Sequence, residues 1–139
     1  MRYLLDTCVL SETRRKKPNK GVVDWLAATD EERLFISVVT LMEIQKGIVK
    51  LDDSPRRQTF QTWLDEDLCS RFIGRILGLT QDVALEWGVL LGGHEKRGEK
   101  LPLIDSLLAS TAIQYNLTLV TRNTSDFGRM PARILNPWR

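Results

Sequence analysis

Short apolar runs of strand length alternate with longer stretches of helical period along the whole chain, and this alternation restricts the fold more than any single residue does. RYLL runs into Asp6 and reads as a first strand. LFISVV (Leu34 to Val39) is short and β-branched, as a second strand should be. RILGL (Arg75 to Leu79), LTLVT (Leu117 to Thr121) and ARIL (Ala132 to Leu135) read as a third, fourth and fifth. Between them, Asn19 is placed to cap a short helix through Val22, Val23, Trp25 and Leu26. Thr40 is expected to open a helix whose buried stripe is Leu41, Ile44, Ile48 and Leu51. Ser54-Pro55 is a strong helix start, a capping hydroxyl followed by proline in the first turn, and leads into Phe60, Trp63, Leu64 and Leu68. Thr80 caps a helix bearing Val83, Trp87, Leu90 and Leu91, whose end Gly92-Gly93 is expected to weaken. After the loop Gly98 to Pro102, Pro102 starts a helix with Ile104, Leu107, Leu108, Thr111 and Tyr115, and Asn116 is a left-handed terminator. Strands alternating with helices predict an α/β fold with a parallel sheet wrapped by helices. In such sheets ligands sit beyond the carboxyl ends of the strands.

Composition bounds the chemistry. At 139 residues the chain has the length of one ordinary domain, expected to span 1–139. A chain of this size buries roughly two thirds of its unfolded surface and needs no covalent staples. No apolar run approaches the length of a membrane span, and MRYLLDT is too short and polar before Asp6 to be a signal peptide, so a cytoplasmic protein with no membrane partner is expected. Two cysteines, Cys8 and Cys69, form no CxxC pair, and a single histidine, His94, rules against a Cys/His zinc site and reads as a surface residue. A metal would have to be bound by oxygen, which favours Mg²⁺ or Mn²⁺. The net charge of +2 is compatible with a nucleic-acid partner without arguing for one.

Acids fall at the strand ends. Asp6 follows the first strand, Glu43 lies in the first turns of the helix after the second, Asp105 opens the helix before the fourth, and Asn123 and Asp126 follow the fourth. Alone, each has an ordinary explanation in a helix dipole or a solvated helix face. Converging, they would repel one another, which implies either raised pKa values or a cation between them. Gly47, one turn beyond Glu43, is unusual in a helix; it either lets another segment approach or is neutral.

LLDTCVLSE, SVVTLMEIQKG, PLIDSLLASTAIQYNLTLVTRNTSDF and the tail ILNPW, in this order, resemble the PIN-domain toxins of the VapC type from bacterial toxin–antitoxin systems, with the opening and tail most similar to the FitB-like branch. The resemblance covers nearly the whole chain. It implies a PIN-like parallel sheet of about five strands flanked by helices. It also implies a Mg²⁺- or Mn²⁺-dependent endoribonuclease that cleaves RNA phosphodiesters with a metal-activated water. A cognate antitoxin would block the site, and a homodimer, with a higher-order antitoxin complex on DNA, would complete the assembly. Asp6, Glu43 and Asp105 match the first three acids of the family. Asp6 and Asp105 would be the principal metal ligands, and Glu43 would hold a metal-bound water or act as base. Asn123 stands where many relatives carry an aspartate, so Asp126 either substitutes for it or caps the turn before Phe127. Cys8 replaces the usual asparagine, exchanging a strong hydrogen-bonding amide for a weak thiol. Thr7, Thr121, Ser11 and Glu12 also match, as site-bordering residues or as local caps.

The run Arg14-Arg15-Lys16-Lys17 follows a first short helix, Lys96, Arg97 and Lys100 precede the Asp105 helix, and Arg122 follows the fourth strand; all are candidate phosphate contacts, with solvated surface as the alternative. Arg122, at a strand end near the acids, is placed either to contact RNA phosphate or to pair with a carboxylate. Trp25, Trp63 and Trp87 fall on apolar stripes and read as core or interface, and the helices around Phe60 and Trp63 as a groove for an antitoxin helix. Two other readings compete. A phosphoryl-transfer domain with an aspartate after its first strand would want a second aspartate two residues on, where this chain has Cys8. A non-catalytic PIN relative would act only by binding a protein or nucleic acid, which the changes at Cys8 and Asn123 leave open.

Overall fold

The computed structural model describes all 139 residues. Five parallel strands form one sheet: β1 (Tyr3–Leu5), β2 (Leu34–Ser37), β3 (Ile76–Leu77), β4 (Thr118–Val120) and β5 (Ile134–Leu135), in the spatial order β3-β2-β1-β4-β5. The chain moves outward from β1 through β2 to β3, then crosses back to place β4 on the other side of β1. Leu4 therefore aligns with Phe35 on one neighbour and Leu119 on the other. The reversal opens a crevice at the carboxyl ends of β1 and β4, the place where ligands bind in such sheets.

Alternation along the strands divides the core into two layers. Leu4 and Leu119 face one side, packed with Val83 and Leu90 of α6 (Gln81–Lys96) and with Leu108 and Ala112 of α7 (Leu103–Gln114). Leu5, Val120, Leu34 and Ile36 face the other. There they meet Val9 of α1 (Thr7–Glu12), Val22 of α2 (Lys20–Ala28) and Ile44 and Ile48 of α3 (Val38–Val49). The long helical arm completing this layer begins as α4 (Pro55–Thr62), continues through a π-helical segment (Trp63–Leu68) and ends in the turn α5 (Cys69–Arg71). No helix is long and apolar enough to cross a membrane.

Capping follows the sequence closely. Asn19, Ser54 and Thr80 each accept a backbone N–H three residues on, and Asn116 takes the left-handed conformation at φ 56°. Three expectations need correction. The second strand stops at Ser37, whose hydroxyl accepts the Val39 N–H and starts α3 three residues before Thr40. A side-chain cap here outweighs the β preference of Val38 and Val39. Gly92-Gly93 does not end α6, which runs on to Lys96 because Leu90 and His94 are buried along its inner face. Burial of that face outweighs about 1 kcal/mol of helix propensity per glycine. His94 is accordingly a buried residue, only 5% exposed, with Nδ1 3.3 Å from Glu99 Oε2. Gly47 meets no other segment; a β-carbon there would enter open space.

The C-terminal tail returns over α2. Asn19 donates Nδ2–H to the Arg139 carbonyl and accepts the Arg139 N–H. Gly21 makes this seat possible, because a β-carbon there would overlap the Pro137 carbonyl oxygen and lie 2.9 Å from the Arg139 nitrogen. Both atoms are backbone and cannot rotate away. Gly21→Ala is expected to displace the tail and lower Tm by about 3–8 °C, the shift for ~1–2 kcal/mol in a chain of this size; calorimetry measures it, and an unchanged Tm contradicts the close packing.

Candidate active site

Asp6 ends β1 and caps α1. Its backbone N–H donates to the Val120 carbonyl, continuing the β1–β4 ladder, and the residue is only 6% exposed. A buried carboxylate needs donors, and they come from both sides of the crevice. Oδ1 accepts the Thr7 N–H at 2.8 Å. Oδ2 accepts the Thr121 hydroxyl at 2.8 Å, and the Cys8 thiol lies 3.8 Å from the same oxygen. Thr121 in turn accepts the Asn123 N–H, and the Arg122 N–H donates to Cys8 Sγ at 3.5 Å. The thiol thus occupies the position of the expected amide with longer, weaker contacts, while threonine and backbone carry the orientation of Asp6.

Thr7 joins Asp6 to the second acid. Its hydroxyl donates to Glu43 Oε1 at 2.7 Å while its N–H holds Asp6. Glu43 projects from α3, and Asp105 stands in the first turn of α7. Asp126 is exposed in the first turn of the short helix α8 (Thr124–Phe127). The carboxyl of Asp105 is pushed above the ordinary carboxylate range. Partial burial is the main cause, followed by the negative charges of Asp126, Asp6 and Glu43. The charges of Asp126, Asp6 and Glu43 therefore all bear on Asp105. No lysine, arginine or histidine pairs with any of them; every ion pair of the molecule lies elsewhere. No three of the carboxylates converge on one point as a closed ligand cage.

Of the other residues singled out by sequence, Thr7 and Thr121 border the site with their hydroxyl protons directed at Glu43 and Asp6. Glu12 is buried and structural. It accepts the Asn19 N–H at 2.8 Å, and that bond, with Arg15 beside it, holds its carboxyl below the ordinary range. Of the two roles open to Arg122, the carboxylate pair is not formed; its guanidinium lies over the Trp138 ring, 5.8 Å from the centroid. Trp25 and Trp63 are half-buried against one core layer, and Trp87 against the other, with its Nε1–H on the Ser106 hydroxyl. Beyond Thr7 and Glu43 opens a groove of about 600 Å³, with Ile44, Ile48, Leu51, Phe60 and Trp63 as its apolar lining and Arg14, Arg15, Lys16 and Arg56 among its cations. Arg14 lies over both Phe60 and Trp63. Sequence reasoning missed Arg56 and Trp138; only the tail motif ILNPW signalled the latter.

The model of the PIN domain matches residues 3–132. This chain belongs to the PIN-domain family. It is similar to the Toxin FitB of Neisseria gonorrhoeae, 32% identical over 97% of either chain. The VapC ribonuclease Y4jK of Sinorhizobium fredii is 30% identical over 97% of this chain and 96% of its own. Among solved structures, FitAB bound to an IR36 DNA fragment superposes with a TM-score of 0.90 at 30% identity, covering 99% of this chain and 96% of that one. In this PIN domain the raised pKa of Asp105 has a direct consequence for stability. Between its unfolded and folded pKa values the native state binds more protons, so stability falls as pH rises through that window and the loss is complete above it. Asp105→Asn removes the repulsion. Without divalent cations it is expected to raise Tm at pH 7, with no gain at pH 3; a lower Tm at pH 7 contradicts the repulsion.

Proposed function

We propose that this PIN domain, working as one unit over residues 1–139, is a Mg²⁺- or Mn²⁺-dependent endoribonuclease and the toxin of a type II toxin–antitoxin pair. The observation that carries the reading is the group of four carboxylates, uncompensated by any basic side chain, at the switch point of the sheet. The donor set fits a hard cation: all oxygen, dispersed, and drawn from separate elements. Mg²⁺ is commonly held by one or two carboxylates with several retained waters, so an open arrangement suits it better than a closed cage. Asp6 and Asp105 are the residues assigned to hold it. When bound, such a cation offsets charge on the phosphodiester and makes water more acidic.

The remaining chemistry belongs to the chain. Thr7 and Thr121 fix the Asp6 carboxylate so that it need not reorganise during the reaction. Glu43, held through Oε1, keeps Oε2 to accept a proton from the attacking water. Asp126 adds negative charge from the open side. Arg122, with the cations of the groove, supplies phosphate contacts for RNA. The names of the relatives, a toxin and a ribonuclease, support this reading.

The partner expected for such a toxin is a cognate antitoxin, and the groove beside Glu43 offers it an apolar floor and a charged rim. Leu85 and Val89, exposed one turn apart on α6, are the face assigned to a homodimer. A complex of toxin and antitoxin on DNA, in the cytoplasm, completes the proposal; FitAB bound to DNA supports it.

Purified, partner-free protein is expected to cut total RNA into discrete fragments with Mg²⁺ or Mn²⁺. A chelator and the Asp6→Asn/Asp105→Asn variant should each reduce cleavage by at least about 10²-fold. Cleavage that persists in both controls overturns the reading; a folded protein that neither cuts RNA nor binds divalent cations leaves the binding-only relative in its place.

A further inference from the structure

Arg122 presents a problem of charge. It follows Thr121 directly, and its backbone N–H contacts the thiol that touches Asp6, so its flexible cation begins at the mouth of the acidic crevice. The carboxylates nearby have no basic partner, and Asp105 bears the cost of their repulsion. A free guanidinium in this position would fold back onto them, forming the bidentate pairs that arginine favours. It forms none.

The tail explains why. Strands β4 and β5 run parallel with Val120 beside Leu135, so Arg122 and Trp138 leave the sheet at the same edge. Asn136 Oδ1 accepts the Trp138 N–H at 3.0 Å, and this turn, with Pro137 buried within it, brings the indole back toward the sheet. The end of the tail is pinned by the Asn19–Arg139 pair and by the Arg139 guanidinium on Asp24 at 2.6 Å. Trp138 packs partly into the core layer of α1 and α2, leaving its ring as a fixed platform under the Arg122 guanidinium.

We propose that Trp138 is a positioning residue that holds Arg122 away from the carboxylates, keeping the acidic site open to a divalent cation and the guanidinium free for a phosphate. This inference rests on the metal-nuclease reading above. The tail thereby acts on the site at a distance, through a residue that touches none of the four acids.

The test is calorimetric titration of Mn²⁺ into the full chain in the absence of RNA. Trp138→Leu keeps an apolar anchor but removes the π face. It is expected to weaken Mn²⁺ binding about two- to fivefold, the effect of one new partly exposed ion pair. Trp138→Phe should bind as the wild type does. The double variant Trp138→Leu/Arg122→Gln should regain wild-type affinity, because no guanidinium remains to compete. A merely structural role for Trp138 would not give that rescue. Wild-type affinity in Trp138→Leu, or a double variant as weak as the single one, overturns the proposal. A wild-type protein that binds no Mn²⁺ overturns the metal reading itself, and this inference with it.

Discussion

The buried Asp6 carboxylate is the interaction on which the rest of the structure turns. It sits where the strand order of the parallel sheet reverses, one residue beyond the central strand. Its Oδ2 takes the hydroxyl of Thr121 from the end of β4, and its Oδ1 takes the N–H of Thr7 at the start of α1. Thr7 then carries the connection across to Glu43 on α3. One negative charge is thus bonded to two elements and linked through Thr7 to a third, and their relative positions are fixed by its need for donors in a place water scarcely reaches.

That arrangement sets up a conflict. Donors satisfy the hydrogen bonds of Asp6 but leave its charge, and Glu43, Asp105 and Asp126 add three more without a basic partner. Asp105 shows the consequence by its raised pKa. Sites that hold such repulsion give up stability for chemistry. Elsewhere the molecule does not tolerate unpaired charge near its core: Glu12 has Asn19 and Arg15, and Glu99 has His94, Arg97 and Arg129. Cations are available, yet Arg14 and Arg56 in the groove beside Glu43, and Arg122 against the tail, lie on aromatic faces instead of neutralising the acids.

Much of this was legible in the sequence because it is local. Helix starts at Asn19, Ser54 and Thr80 and the left-handed turn at Asn116 depend on a few consecutive residues. The acids at Asp6, Glu43 and Asp105 were legible as a group once the strands were placed, since a parallel sheet gathers its strand ends. The misreadings came from tertiary packing. Ser37 captures two valines that favour strands, and the buried face of α6 carries its helix through two glycines. The burial of His94 is not legible from its helix alone, because its partner, Glu99, stands beyond the helix end. The contact of Arg122 with Trp138 is not legible locally, because the aromatic arrives from the far end of the chain. Sequence separation hid the interaction; neither residue type was unusual.

The central claim is that the carboxylates at the switch point are held together uncompensated and are relieved by a divalent cation. The most direct measurement is an NMR pH titration of the Asp105 side-chain carbonyl carbon, first free of divalent ions and then with saturating Mg²⁺. The account predicts a midpoint above the ordinary ~3.9 of an aspartate in the ion-free protein, moving down when Mg²⁺ is present. An ordinary midpoint that Mg²⁺ does not move would contradict it.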